Sequence, residues 1–239
     1  MQRHQLPRVW LKSRPLQHFC HVPRRSLIRH MNANACSALE AKTFLHVGCG
    51  SNRKQHTTRG LAGADWREIR LDINPAVTPD VVGSMTDMNA VADQSVDAVF
   101  SSHNIEHLYP HEVALALAEF VRVLKPEGFA IITCPDLQSV AVLIAQDRLT
   151  DTAYVSAAGP IAPLDMLYGH RPELAQGHLY MAHRCGFTER VLRGTLLQSG
   201  FQSVATMRRP AAFDLWAAAG KNPRPEAELR SLAGAHFPQ

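Results

Sequence analysis

Phe44-Leu45-His46-Val47-Gly48-Cys49-Gly50-Ser51-Asn52, followed by Ile69-Arg70-Leu71-Asp72-Ile73, decides how this chain is read. The first run is apolar enough for a buried strand, and it ends in a pair of glycines. Gly48 and Gly50 lack a Cβ, so the chain can turn sharply and bring backbone N–H groups close to a ligand. An acidic residue about 20 positions later can hold a ribose hydroxyl, and Asp72 stands there at the end of the second apolar run. This is the arrangement of a nucleotide-cofactor site. It does not by itself choose the cofactor, because the dinucleotide fingerprint wants a third glycine where Arg53 stands.

The segments around this pair define a fold class. Strands are expected near 69–73, 80–83, 97–102 and 128–134, with a helix over 110–124 between the last two. Pro110 suits the first turn of that helix, and Val113, Leu117, Phe120, Val121 and Leu124 share one face. Lys125, Pro126 and Gly128 end it. Alternating strands and helices predict an α/β fold with a parallel sheet. A second helix over 189–199 ends at Gly200, and two strands follow near 201–207 and 212–219. Residues 150–186, rich in Gly, Pro, His and Tyr, have little periodicity, and a segment this long inside a domain usually serves as a lid or binding loop. The residues from 222 onward form a helical or frayed tail.

Composition excludes several classes. The chain has 239 residues, 46% of them hydrophobic, enough for one core. Residues 1–30 hold seven cations and no acid, which leaves 18 cations against 21 anions in residues 31–239. The basic character therefore belongs to a leader of about 35 residues. It carries Pro7, Pro15 and Pro23, and is expected to be an unstructured extension, or translated upstream sequence with the true start at Met31. The slightly acidic remainder gives no footprint for nucleic acid. No apolar run is long enough to span a membrane, and the N-terminus lacks the apolar core of a secretory signal. The five cysteines form no C-x-x-C pair, which argues against a disulfide framework or zinc ribbon and for a reducing, cytoplasmic compartment.

Taken together, these segments resemble the class I S-adenosylmethionine-dependent methyltransferases, most closely the methyltransferase-type-11-like proteins. The resemblance runs over roughly residues 43–220. It rests on Leu45-His46-Val47-Gly48-Cys49-Gly50, Leu71-Asp72-Ile73, Val82-Gly83-Ser84-Met85-Thr86-Asp87-Met88, Ser102-His103-Asn104-Ile105-Glu106-His107-Leu108 and Arg122-Val123-Leu124-Lys125-Pro126-Glu127-Gly128. It implies a doubly wound, Rossmann-like sheet of seven strands in the order 3-2-1-4-5-7-6, with strand 7 antiparallel, in a domain over residues 36–221. The 150–186 insertion would face the substrate and 222–239 would form the tail.

The resemblance also implies S-adenosylmethionine as cofactor. Gly48, Cys49 and Gly50 would cradle its methionine part and Asp72 its ribose hydroxyls, with Ile73 beside it. Asp87 and Met88 would meet the adenine, and Asn104 would close the pocket. His46 stands where many members carry an acid, and Asn52 replaces a third glycine.

Methyl transfer from a sulfonium depends mainly on positioning. His107 is the candidate general base, and Glu106, Tyr168, His170, His178, Tyr180 and His183 are candidate acceptor contacts. His170, His178, His183 and Cys185 match no standard zinc spacing, so no metal is expected. Thr133-Cys134-Pro135 leaves open a nucleophilic cysteine of the kind found in some RNA cytosine methyltransferases. The expected reaction is methyl transfer to a small-molecule or saccharide-like acceptor. The rivals are a binding or scaffold protein that keeps the fold without catalysis and, less favoured, a nicotinamide oxidoreductase. Oligomeric state cannot be read from the sequence.

Overall fold

The computed structural model describes residues 41–239. The basic extension expected over 1–35 lies outside the described residues, as do Cys20 and Cys36. The sheet is built from β1 (Lys42–Val47), β2 (Trp66–Asp72), β3 (Val81–Val82), β4 (Val96–Ser102), β5 (Leu124–Pro135), β8 (Ser203–Arg209) and β9 (Asp214–Gly220). Their order is β3-β2-β1-β4-β5-β9-β8. β1 through β5 pair in parallel, and β9 runs antiparallel to both neighbours, as the resemblance implies.

Successive residues of a strand face opposite sides of its sheet, so alternation divides the core into two layers. Leu45, Val47, Val99 and Ile132 face α1 (Pro110–Val123) and α5 (Glu189–Gln198), which contribute Leu117, Phe120, Leu192 and Leu196. Phe44, Trp66, Phe100 and Ile131 face the other side with Leu61 and Phe237. Both faces are covered, which explains the nearly continuous apolar runs in the central strands.

Two elements differ from the sequence expectation. β5 starts at Leu124, because Leu124 pairs with Val96 before the ladder slips and resumes at Phe129 opposite Ala98. The slip passes through Lys125-Pro126-Glu127-Gly128. A Cβ at Gly128 would come within 2.9 Å of both the Leu124 side chain and the Lys125 carbonyl oxygen. Residues 150–186 are not one loop. They fold into the hairpin β6 (Tyr154–Ser156) and β7 (Gly159–Ile161), the short helices α3 (Pro163–Tyr168) and α4 (Arg171–Ala175), and a 3-10 turn at Leu179–Met181. α3 packs on α2 (Leu137–Ala145), burying Met166 against Val140 and Ile161. The tail from 222 forms α6 (Glu226–His236), which ends with His236 and Phe237 buried.

Candidate functional site

The first turn is built by the residues that open the sequence reading. β1 leads into Gly48 and Gly50, both with positive φ (62° and 52°), a conformation that costs glycine little. A Cβ at Gly48 would strike the Asn104 side chain at 2.0 Å, whereas one at Gly50 would meet nothing within 4 Å. The Gly48 site is closed by protein, and the space beside Gly50 is open to a ligand.

Asp72, buried at the end of β2, braces this turn. Its Oδ2 accepts from the Gly50 N–H at 2.7 Å and its Oδ1 from the Asn74 N–H at 2.8 Å. Each oxygen retains a further lone pair for a hydroxyl donor. Arg70, also buried, extends the brace: its guanidinium donates to the carbonyls of Asn52 and Thr78, and to that of Gly50 at 2.5 Å. Beyond β4, Asn104 Nδ2 donates to the Val47 carbonyl at 2.9 Å and to that of Ser102 at 3.0 Å, pinning the ends of β1 and β4 together.

These chain ends enclose a cavity of about 580 Å³. Its walls include Gly48, Gly50, Asp72, Ile73, Asn104, His107, His178 and Tyr180 from the sequence-derived set. Tyr180 also accepts a hydrogen bond from Asn74 Nδ2 at 2.9 Å, which ties the 150–186 segment to the end of β2. A second cavity of about 150 Å³ shares His103, His107 and Met181 with the first, and is lined also by Glu106, His170 and His183.

Other candidates fall elsewhere. His46 faces away from the cavity: it is buried beside Phe100, with Nδ1 2.7 Å from Glu68 Oε1. Strand alternation puts it on the sheet face opposite Leu45 and Val47, so a histidine in place of an acid here takes nothing from the cavity wall. Burial lowers the His46 pKa, with Glu68 opposing. The Cys49 side chain is buried and does not line the cavity, and burial pushes its thiol up to about 11.

Asp87 is exposed and Met88 buried in the core, and neither lines the cavity. Ser84, Met85 and Thr86 take that wall instead, because the chain bridges back from Ser84 to Asp87 and turns the later residues away. Tyr168 is exposed on α3 and lines neither cavity. Cys134 is fully buried in β5, and burial holds its thiol well above the ordinary range, which removes the thiolate that attack on a pyrimidine needs.

The sequence reading missed Arg70, Asn74, Met85 and His103. Only Arg70 carried a signal, as a charged residue inside an apolar strand run. His103 follows β4 with a positive φ of 54°, and its Nδ1 stands 3.5 Å from Glu106 Oε1.

The fit to S-adenosylmethionine rests on these features. The open side of Gly50 can receive the methionine part, Asp72 presents a carboxylate where a ribose would lie, and Met85 and Ile73 supply apolar wall for a base.

Comparison with known proteins agrees with the geometry. The methyltransferase-domain family matches residues 45–132. No curated protein matches the chain. Among solved structures, the CMeT domain of citrinin polyketide synthase superposes with a TM-score of 0.50 at 12% identity, over 78% of this chain and 48% of that one. An exported-protein candidate from Bordetella parapertussis gives 0.49 at 14% identity, over 77% and 63%. The 1,6-didemethyltoxoflavin-N1-methyltransferase of Burkholderia thailandensis, solved with S-adenosylhomocysteine, gives 0.47 at 16% identity, over 76% and 71%. The chain thus spans less than two thirds of the first two. Residues 45–132 thus match the methyltransferase-domain family, and the sheet order with its carboxylate-braced glycine turn is that of the Rossmann-like methyltransferase fold.

Proposed function

We propose that the chain transfers the methyl group of S-adenosylmethionine to a hydroxyl of a small-molecule or saccharide-like acceptor. The observation that carries this reading is the pair of adjoining cavities. The larger, about 580 Å³, lies in the usual range for small-ligand sites, and His103, His107 and Met181 line both it and a compartment of about 150 Å³ walled in part by the 150–186 segment. A compartment of that size suits one ring or a few substituents.

When bound, the cofactor supplies an electrophilic methyl group and leaves as a neutral thioether. The residues here provide placement. The Gly48–Gly50 turn, Asp72 and Asn74 hold and orient one end, and His178, Tyr180 and Met181 limit water from above. His107 Nδ1 lies 3.2 Å from the Ala182 carbonyl, which can only accept, so that nitrogen carries the proton and Nε2 keeps a lone pair. In this reading Nε2 takes the proton that the acceptor hydroxyl gives up.

The scaffold alternative loses its main support, since His46 is turned away from the cavity and Asp72 is in place. The proposal is tested by incubating the full chain with methyl-labelled S-adenosylmethionine and a panel of hydroxylated small molecules, sugars, RNA and peptides. Label in the low-molecular-mass fraction is the expected result. Label confined to RNA or peptide would overturn the acceptor class.

A further inference from the structure

Glu106 is buried to 1% exposure, and neither of its carboxylate oxygens has a hydrogen-bond partner among the described residues. An ionised carboxylate held this way is costly unless a cation or several donors meet it. His103 comes within 3.5 Å but makes no hydrogen bond to it.

Two further imidazoles face the same point. His107 and His183 stack edge to face with ring centroids 4.9 Å apart. Each places Nδ1 against a backbone carbonyl, His107 against Ala182 at 3.2 Å and His183 against Met166 at 2.8 Å. A carbonyl cannot donate, so both rings are held as the tautomer whose Nε2 is unprotonated. A carbonyl behind each imidazole is the support that ligating histidines have in metal sites. One ligand atom from each of Glu106, His107 and His183 lies within 4.8 Å of the others.

The backbone that carries them is fixed. The Arg184 and Cys185 N–H groups both donate to the Glu106 carbonyl, at 2.8 and 3.2 Å, and the Cys185 thiol donates to the Ile105 carbonyl at 3.3 Å. The loop after β4 and the segment some 77 residues later are therefore one unit.

We propose that Glu106, His107 and His183 form a binding site for a divalent transition-metal ion at the acceptor end of the cavity. Two neutral imidazoles and one carboxylate suit zinc and its neighbours, and three protein ligands leave a coordination position open. Bond lengths near 2.1 Å put tetrahedral ligands roughly 3.4 Å apart, so the three side chains draw in by about an ångström on binding. The ion adds positive charge beside a buried carboxylate that has no hydrogen-bond partner among the described residues and has His103 at 3.5 Å. All three ligands line the smaller cavity, and His107 lines the larger one as well.

The part the ion would take in catalysis rests on the proposed methyl transfer. There it holds the acceptor's hydroxyl oxygen and favours loss of its proton to water. That oxygen then bonds the methyl carbon, while the breaking carbon–sulfur bond leaves its electron pair on sulfur. With the ion bound, His107 is a ligand and water takes the proton; the base role proposed above for its Nε2 belongs to the ion-free site.

The test uses the full chain stripped with a chelator and then titrated with Zn2+ by calorimetry and with Co2+ by visible absorption. One ion per chain with a cobalt d–d band is expected. Glu106→Gln and His183→Ala should each weaken binding tenfold or more, while His111→Ala on α1 leaves it unchanged. Circular dichroism checks each fold, and His183→Ala alone decides if Glu106→Gln does not fold. No binding, or equal affinity in wild type and both variants, overturns the site. S-adenosylmethionine is titrated in parallel. Zinc binding without cofactor binding sinks the methyl-transfer reading and leaves the ion site standing, and the reverse sinks the ion site alone.

Discussion

Asp72 does two things with one carboxylate: it holds the glycine turn in shape and offers its remaining lone pairs to the cavity. Asp72→Ala removes charge-assisted bonds of both kinds, and should weaken cofactor binding by about 2–4 kcal/mol, read by calorimetry as a 30-fold or larger loss. An unchanged dissociation constant would remove Asp72 from the site. Gly48→Ala tests the turn from the other side. It adds a Cβ at φ 62° that would collide with Asn104, so it should destabilise the fold by roughly 1–3 kcal/mol in urea unfolding and weaken the cofactor as well. A variant as stable as wild type would mean that the turn relaxes freely.

At this scale the sequence was legible where a residue type answers a backbone demand, as at Gly48, Gly50 and Asp72. It was not legible where the direction of a side chain decides. His46 follows an inward-facing Leu45, so strand parity already turns it away from the cavity wall. Asp87 and Met88 were displaced by a local bridge that no spacing rule reveals.

Among the elements, α6 shows how a tail can belong to the core. His236 at its end is buried, stands 2.6 Å from the Thr58 hydroxyl, and fills the space that a Cβ at Gly60 would need. Burial lowers its pKa from 6.5 to about 4. Between those values the unfolded chain takes a proton that the folded chain refuses, so this group makes the fold lose stability as pH falls from 6.5 toward 4. The full loss is on the order of 3 kcal/mol, since lowering a pKa by one is equivalent to about 1.4 kcal/mol. Urea unfolding at pH 7 and pH 4.5 should show a larger drop in wild type than in His236→Gln. Equal drops would mean that the ring is solvated in the folded protein. The helix itself could be read from sequence, but its docking could not, because the Leu232, Ala233 and Phe237 that reach the sheet layer are too few and too close together to mark a face. The 150–186 segment was read as a binding loop from its composition; its hairpin and two short helices are too brief to produce a period.

For the whole molecule, the sheet order gathers the ends of β1, β2 and β4 at one edge, and the 150–186 segment closes over them. Alternating apolar runs and the turns between them showed a parallel α/β sheet, and the resemblance to the methyltransferases implied the strand order. The group of Glu106, His107 and His183 was not, since it joins positions about 77 residues apart, and nothing in the spacing of His170, His178, His183 and Cys185 points back to Glu106. The acceptor is equally illegible, because a fold does not carry substrate identity.

Whether the carboxylate-braced glycine turn holds S-adenosylmethionine is decided by calorimetric titration of the full chain with S-adenosylmethionine and S-adenosylhomocysteine, repeated with Asp72→Ala. Binding of one molecule per chain, weakened at least 30-fold by the substitution, is the predicted result. Absence of binding in the wild-type protein, or binding that Asp72→Ala leaves intact, would contradict it.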